Sequence, residues 1–195
     1  MQRRLVRRQL AVACALKARL RKEGPEGYRR YLDENDLSRI AGQSHVPIAI
    51  LLLQAKTLED AARSGHLDAY RMIAINSSLN ETTATINTCD RLNGTPFFPF
   101  YLTVVGIAEW LFLIVFPMAI ADAAGYWAIL YTFLLGMILN GLVHSAYSLM
   151  DPFVRQPSAV PLESLTRGTE IDLLEQLGEK EVPSPVAPVD RGYLP

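Results

Sequence analysis

The 195-residue chain has room for one ordinary domain or for a small membrane unit with cytosolic helices attached, and it is too short for a large multi-domain machine. Half of its residues are hydrophobic, 20% are charged and the formal net charge is −1, so no nucleic-acid partner is expected. Cys14 and Cys89 are the only cysteines and have neither metal-ligand nor CxxC spacing, which excludes a disulfide framework and points to a reducing compartment.

The average composition conceals a segregation. From Pro96 to Met150 the only acidic or basic side chains are Glu109, Asp122 and His144, whereas the flanking segments are crowded with charge. At the front, Arg3, Arg4, Arg7, Arg8, Lys17, Arg19, Arg21 and Lys22 occur without a single acid. Leu5, Val6, Leu10, Val12, Ala13, Leu16 and Leu20 recur on one side of a helix that Gly24-Pro25 ends. This basic helix either turns its arginines to anionic headgroups, each worth about 1 kcal/mol there, or packs on its neighbours with a solvated charged face. It resembles neither a secretory signal nor a Ser-rich transit peptide.

A short helix is expected at Asp36 to Ala41, then a break at His45-Val46-Pro47, then a helix from Ile48 to Ala62. The Leu51-Leu52-Leu53 run in that helix is too short to cross a bilayer, so it reads as a buried cytosolic helix. After Gly65, no proline or glycine interrupts Leu67 to Arg91, with Leu67, Tyr70, Met72, Ile73, Ile75, Leu79 and Ile86 as apolar positions. Thr82, Thr83, Thr85 and Thr88 weaken local helix preference, but nothing ends the helix before Asn93-Gly94. Asn76, Asn80 and Asn93 lie in Asn-x-Ser/Thr sequons, expected to be cytosolic and unmodified.

Phe97 to Ala121 and Tyr126 to Leu149 are each long and apolar enough to span a hydrocarbon layer of about 30 Å. Only Asp122-Ala123-Ala124-Gly125 separates them, a loop that forces an antiparallel hairpin. The loop carries no Lys or Arg, while Arg91 precedes the first span and Arg155 follows the second. The positive-inside rule then places both chain ends in the cytosol. Gly106, Gly136 and Gly141 are candidate close-packing positions between helices. Glu109 falls near the centre of its span, where an ionised carboxylate is costly and marks a candidate pathway residue; the rival readings are a protonated Glu hydrogen-bonded to a neighbouring helix and a shifted register of the span. Asn140 and His144 read as hydrogen-bonding groups between helices.

The run Cys89-Asp90-Arg91-Leu92-Asn93-Gly94-Thr95-Pro96-Phe97-Phe98-Pro99-Phe100 resembles the bestrophin family of pentameric anion channels, specifically its bacterial branch, which has Cys-Glu-Arg-Ile-x-x-Thr-Pro-x-Pro-Phe at this point. Asp151-Pro152-Phe153 matches a second family motif, and Pro161-Leu162-Glu163 through Thr169-Glu170-Ile171-Asp172-Leu173-Leu174 to Leu177-Gly178 a third. The resemblance implies an all-α membrane protein, part of a homo-pentamer in a bacterial inner membrane that passes anions such as chloride, with no cofactor and no metal. Residues 1–95 would form a cytosolic helical region, 96–150 the transmembrane hairpin, 151–178 a cytosolic segment with an amphipathic helix, and 179–195 a disordered, proline-rich tail.

The departures from the family pattern carry expectations too. Bacterial relatives usually have a His-Arg pair where this chain has Gly106-Ile107, and are apolar where it has Glu109. Val154 to Val160 offers no carboxylate, so the calcium clasp of the animal branch is not expected. A full bestrophin begins with two further membrane helices, the second lining the apolar neck. This sequence starts in the helices that follow, as expected of a fragment or of a shortened relative that cannot form the pore unaided. Counting back from Pro96, the family's cytosolic constriction falls near Tyr70, where a phenol would narrow the passage and offer a hydroxyl; alternatively Tyr70 packs in the cytosolic helical layer. The leading expectation is a passive channel subunit, and its rival a non-conducting membrane assembly or regulatory module. No catalytic spacing, HExxH or phosphate loop suggests an enzyme.

Overall fold

The computed structural model describes residues 2–94, 99–149, 153, 159–179 and 181–187. Among them the regular structure is all α: α1 (Gln2–Leu20), α2 (Glu26–Arg29), α3 (Glu34–Ile40), α4 (Val46–Arg63), α5 (Ala69–Gly94), α6 (Pro99–Ala124), α7 (Trp127–Leu149) and α8 (Leu162–Gln176). They fall into two compact units, Met1–Gly94 with Phe153–Pro195, and Thr95–Pro152.

In the first unit α1 is the central helix, packed against α2, α4, α5 and α8. Its Ala11, Val12 and Ala15 meet Leu32, Ile40, Ile50, Leu51 and Ile86 in one core. The small side chains on α1 let α4 approach closely, and full burial of Ile50 alone contributes roughly 1.5–3 kcal/mol. Arg3 and Arg7 are exposed as the amphipathic pattern requires, but Arg8 is 1% exposed. A wholly solvated charged side is therefore corrected: part of the basic run is turned inward, because partner acids wait there.

Helix α4 begins two residues earlier than expected. Pro47 opens it instead of breaking the chain, since a proline in the first turn has the right φ and an N–H that would be unpaired anyway. The Leu51-Leu52-Leu53 run divides by helical periodicity, with Leu51 buried and Leu52 66% exposed. Helix α5 continues through its threonines, whose hydroxyls each donate to the carbonyl one turn back. Thr82 bonds Ser78 O at 2.8 Å, and Thr83, Thr85 and Thr88 make the corresponding bonds at 2.9 Å. Of its side chains only Ile86 is buried.

Helix α8 docks on α1 through Lys17, whose Nζ donates to Glu163 at 2.7 Å. It ends at Gly178 (φ +69°), a left-handed cap that glycine adopts without strain. Glu179 accepts a hydrogen bond from Arg7 at 3.3 Å, and residues 181–187 have no regular secondary structure.

The second unit is the hairpin of α6 and α7, which pack on each other. The connection is shorter than expected. Nothing in Asp122-Ala123-Ala124 opposes a helix, so α6 continues to Ala124 and the chain reverses at Gly125 (φ +54°) and Tyr126. The apolar stretches run Thr103–Ala124 and Trp127–Tyr147, of 22 and 21 residues, each about 30 Å or slightly more at 1.5 Å per residue. Phe97 and Phe98, expected to begin the first span, lie outside the described residues. Pro117 sits within α6, which membrane helices tolerate. Ala128 is the only side chain of the hairpin that is buried among the described residues, while Ile107, Trp110, Ile114, Met118 and Ile129 are 63–77% exposed. The core helices of a soluble protein bury such faces; these two present them outward, where lipid is the matching solvent.

Candidate functional site

Tyr70 is the second residue of α5 and 83% exposed, with Ile73 one turn later 68% exposed on the same side. It therefore stands out from the helical layer and is not packed inside it. Its backbone N–H donates to Asp68 Oδ2 at 3.3 Å, which helps start the helix.

Glu109 lies on α6, half-buried, with Oε1 shielded from solvent and without a hydrogen-bond partner among the described residues. One turn further on, Leu113 faces α7: a Cβ added to Gly136 would come within 3.1 Å of its Cδ2. Residues four apart share a helix face, so Glu109 lies toward α7 as well. A groove of about 560 Å³ runs along this side, lined by Leu113, Thr132, Phe133, Gly136, Asn140 and His144. Tyr70 and Glu109 belong to different units. No group of His, Cys, Asp and Glu suited to a metal ion occurs among the described residues.

The motif residues divide. Cys89 and Asp90 are partly buried and Arg91 exposed on the last turns of α5; Pro99 opens α6 and Phe100 is 67% exposed. Phe153 is 6% exposed within the first unit. Thr95, Pro96, Asp151 and Pro152 lie outside the described residues.

Asp90 is where the structure adds most to the motif. Arg19 Nε of α1 donates to its two oxygens at 2.9 and 3.1 Å, and His45 Nε2, just ahead of α4, pairs with Oδ2. Arg19 also donates to the Ser44 carbonyl at 3.1 Å. Three helices are thus tied at the point where α5 is about to leave the unit. Partial burial alone would raise the Asp90 carboxyl, but the bonds from Arg19 and His45 outweigh it and hold it below its ordinary value.

A second network has a fully buried pair, Arg8 and Asp36, at its centre. Arg8 donates from Nε and Nη2 to the two oxygens of Asp36, both at 2.7 Å, and from Nη1 to Leu53 O at 3.0 Å and Thr57 Oγ1 at 2.7 Å. Arg4 adds a bond to Asp36 at 2.8 Å. A third gathers Tyr31, Arg30 and Arg167 around the buried Glu170, with Tyr31 donating its hydroxyl. Burial, then Glu170, pushes the Tyr31 phenol well up, and burial raises the Cys14 thiol against the opposing pull of Arg30.

Burial would also raise Asp36, yet the bonds and charges of Arg8 and Arg4 win and hold it below its ordinary value. A depressed carboxyl stabilises the fold above its unfolded value of about 3.9, and that contribution disappears as the pH falls through the folded value. Thermal melting in detergent is expected to show a loss of stability on the acid side of about pH 4, and Asp36→Asn should reduce the slope, with Asp90 supplying part of what remains. A slope unchanged in the variant would assign it to other carboxyls.

None of these ties was foreseen, although one signal was present: eight bases without an acid at the front of the chain require acids from elsewhere. Asp36, Asp90, Glu163, Glu170 and Glu179 supply them or the segments beside them.

The family described as the bacterial and fungal bestrophin proteins matches residues 1–175. The voltage-dependent anion channel-forming protein YneE of Escherichia coli O157:H7 is 32% identical over 193 residues, 98% of this chain and 63% of that protein. The protein of the same description from Mesorhizobium japonicum, mll4386, is 26% identical over 99% of the chain and 62% of its own length. The crystal structure of a bacterial bestrophin homolog from Klebsiella pneumoniae superposes with a TM-score of 0.84 at 25% identity, covering 92% of this chain and 67% of that one. The chain spans under two thirds of the length of the curated relatives it matches. With the motifs around the hairpin, the helical architecture and a family match over all but its tail, the chain belongs to the bacterial and fungal bestrophin family, as an all-α membrane protein.

Proposed function

We propose that the chain is a subunit of a passive anion channel, conducting chloride and similar ions by electrodiffusion through a pore around which five copies assemble. The hairpin lies in a bacterial inner membrane and both chain ends are cytosolic, as the absence of Lys and Arg at the turn supports. The observation that carries this reading is the joining of two outward-apolar helices to α5. That helix buries only Ile86 and is rich in Ser, Thr and Asn, a lining suited to water and ions. Tyr70 stands at the narrowest point, its ring limiting the passage and its hydroxyl available as a donor. Glu109 is assigned a place along the membrane part of the pathway.

The test is chloride flux from liposomes carrying the purified chain, followed by single-channel recording. Anion-selective current is expected, and Tyr70→Ala should change conductance or anion preference severalfold. Unchanged current would remove Tyr70 from the pathway. The second reading is a non-conducting membrane assembly or regulatory module. Absence of selective flux from well-incorporated protein would establish it in place of the first.

A further inference from the structure

Helix α5 carries one charge that neither packing nor pairing accounts for. From Met72 to Cys89 its residues are apolar or of the Ser, Thr and Asn type, and Glu81 is the only charged side chain. The positions three and four residues away, Ser77, Ser78, Ala84 and Thr85, hold no base with which a helical glutamate could pair. Glu81 is exposed, and no basic side chain among the described residues pairs with its carboxylate. Thr85 turns its one hydroxyl hydrogen to the Glu81 backbone carbonyl at 2.9 Å.

Helical periodicity relates this charge to Tyr70. The two residues are separated by three turns to within about 20°, so they share one stripe of the helix, about 16 Å apart along its axis. Ala74, Ser77, Ala84 and Thr88 continue the same stripe, all exposed. Arg71 is turned about 100° away from it, and Asp90 and Arg91 belong to the last turns of α5. The stripe that begins at Tyr70 is therefore small and hydroxyl-bearing, with an acid at one level. Repeated around a common axis, that level becomes a ring of carboxylates, and acidic rings repel anions and gather cations.

We propose that Glu81 limits how strictly the pathway prefers chloride to cations. Its carboxylate holds back anions and admits cations, so the preference for chloride is weakest where salt screens least. The inference rests on the reading of α5 as the lining of an anion pathway, and adds to it the residue that tunes selectivity.

The test is the reversal potential of currents through the full chain in planar bilayers under a KCl gradient, at mean concentrations of about 0.1 M and about 1 M, where the screening length is about 10 and about 3 Å. At the lower salt Glu81→Gln should raise the chloride-to-potassium permeability ratio about tenfold, the lower end of what a lining of one sign does to local ion concentration. At the higher salt the gain should shrink, and Glu81→Asp should keep the ratio of the unaltered chain. Glu34→Gln makes the same change of charge at an exposed position of α3 and should leave the ratio where it was. An anion-selective current indifferent to Glu81→Gln at both salts would overturn the proposal while leaving the channel reading intact. An equal gain from Glu34→Gln would also overturn it, by assigning the effect to net charge. Well-incorporated chain that passes no selective current would remove the channel reading itself, and the role of Glu81 with it.

Discussion

Arg8→Ala is expected to cost about 3–5 kcal/mol of unfolding free energy in detergent, the usual loss when one member of a buried ion pair is deleted. The side chains of Arg8 and Asp36 are 2% and 1% exposed, so removing the guanidinium strands a carboxylate that water cannot reach. Arg4 cannot replace it, being 41% exposed and offering Asp36 one bond of 2.8 Å. Leu53 O and Thr57 would lose their donor at the same time. The magnitude reflects an abandoned charge more than a strong attraction, so replacing both partners together, as Arg8→Met with Asp36→Leu, should recover most of the loss. Denaturation of the single and double variants measures this directly. A single variant that loses under about 1 kcal/mol, a surface-pair value, would show that the pair is not buried in the folded protein.

Ile114→Arg should cut stable membrane insertion at least tenfold, because a central arginine costs about 2.5–3.5 kcal/mol on the insertion scale. Ile114 is 63% exposed and lies in the middle of the apolar stretch Thr103–Ala124. Asp122 in the same helix is accommodated because it lies three residues from the reversal at Gly125, close to an interface. The fraction of chain resisting carbonate extraction distinguishes the outcomes, with Ile114→Leu as the silent control. Insertion of the arginine variant at the level of the unaltered chain would mean that this face meets water and not hydrocarbon.

The parts of the fold that follow from local periodicity could be read in advance. The long helices, the hairpin and the reversal near Gly125 all rest on runs of apolar residues and on the absence of anything to interrupt them. Proline and short-turn chemistry were harder. Pro47 could break a helix or begin one, and only the following turn of α4 decides. The four-residue α2 lies between Gly24-Pro25 and the buried Leu32, too short to show a period. The ties were hardest, since they join residues far apart in sequence: Arg8 to Asp36, Arg19 to Asp90, Lys17 to Glu163. A charge pattern shows that α1 needs acids without showing which ones. Asp90 was noticed as part of a motif, while its role as the fastening of three helices came only with Arg19 and His45 beside it.

The reversal at Gly125 and Tyr126 has a consequence for how the protein is seen from across the bilayer. With α6 ending at Ala124 and α7 starting at Trp127, the turn of the hairpin exposes almost no polypeptide there. An added protease would find no cleavable stretch there, an antibody no epitope beyond the protruding ring of Tyr126, and an impermeant amine-reactive label no lysine to modify. The turn itself therefore offers a partner little beyond that one ring.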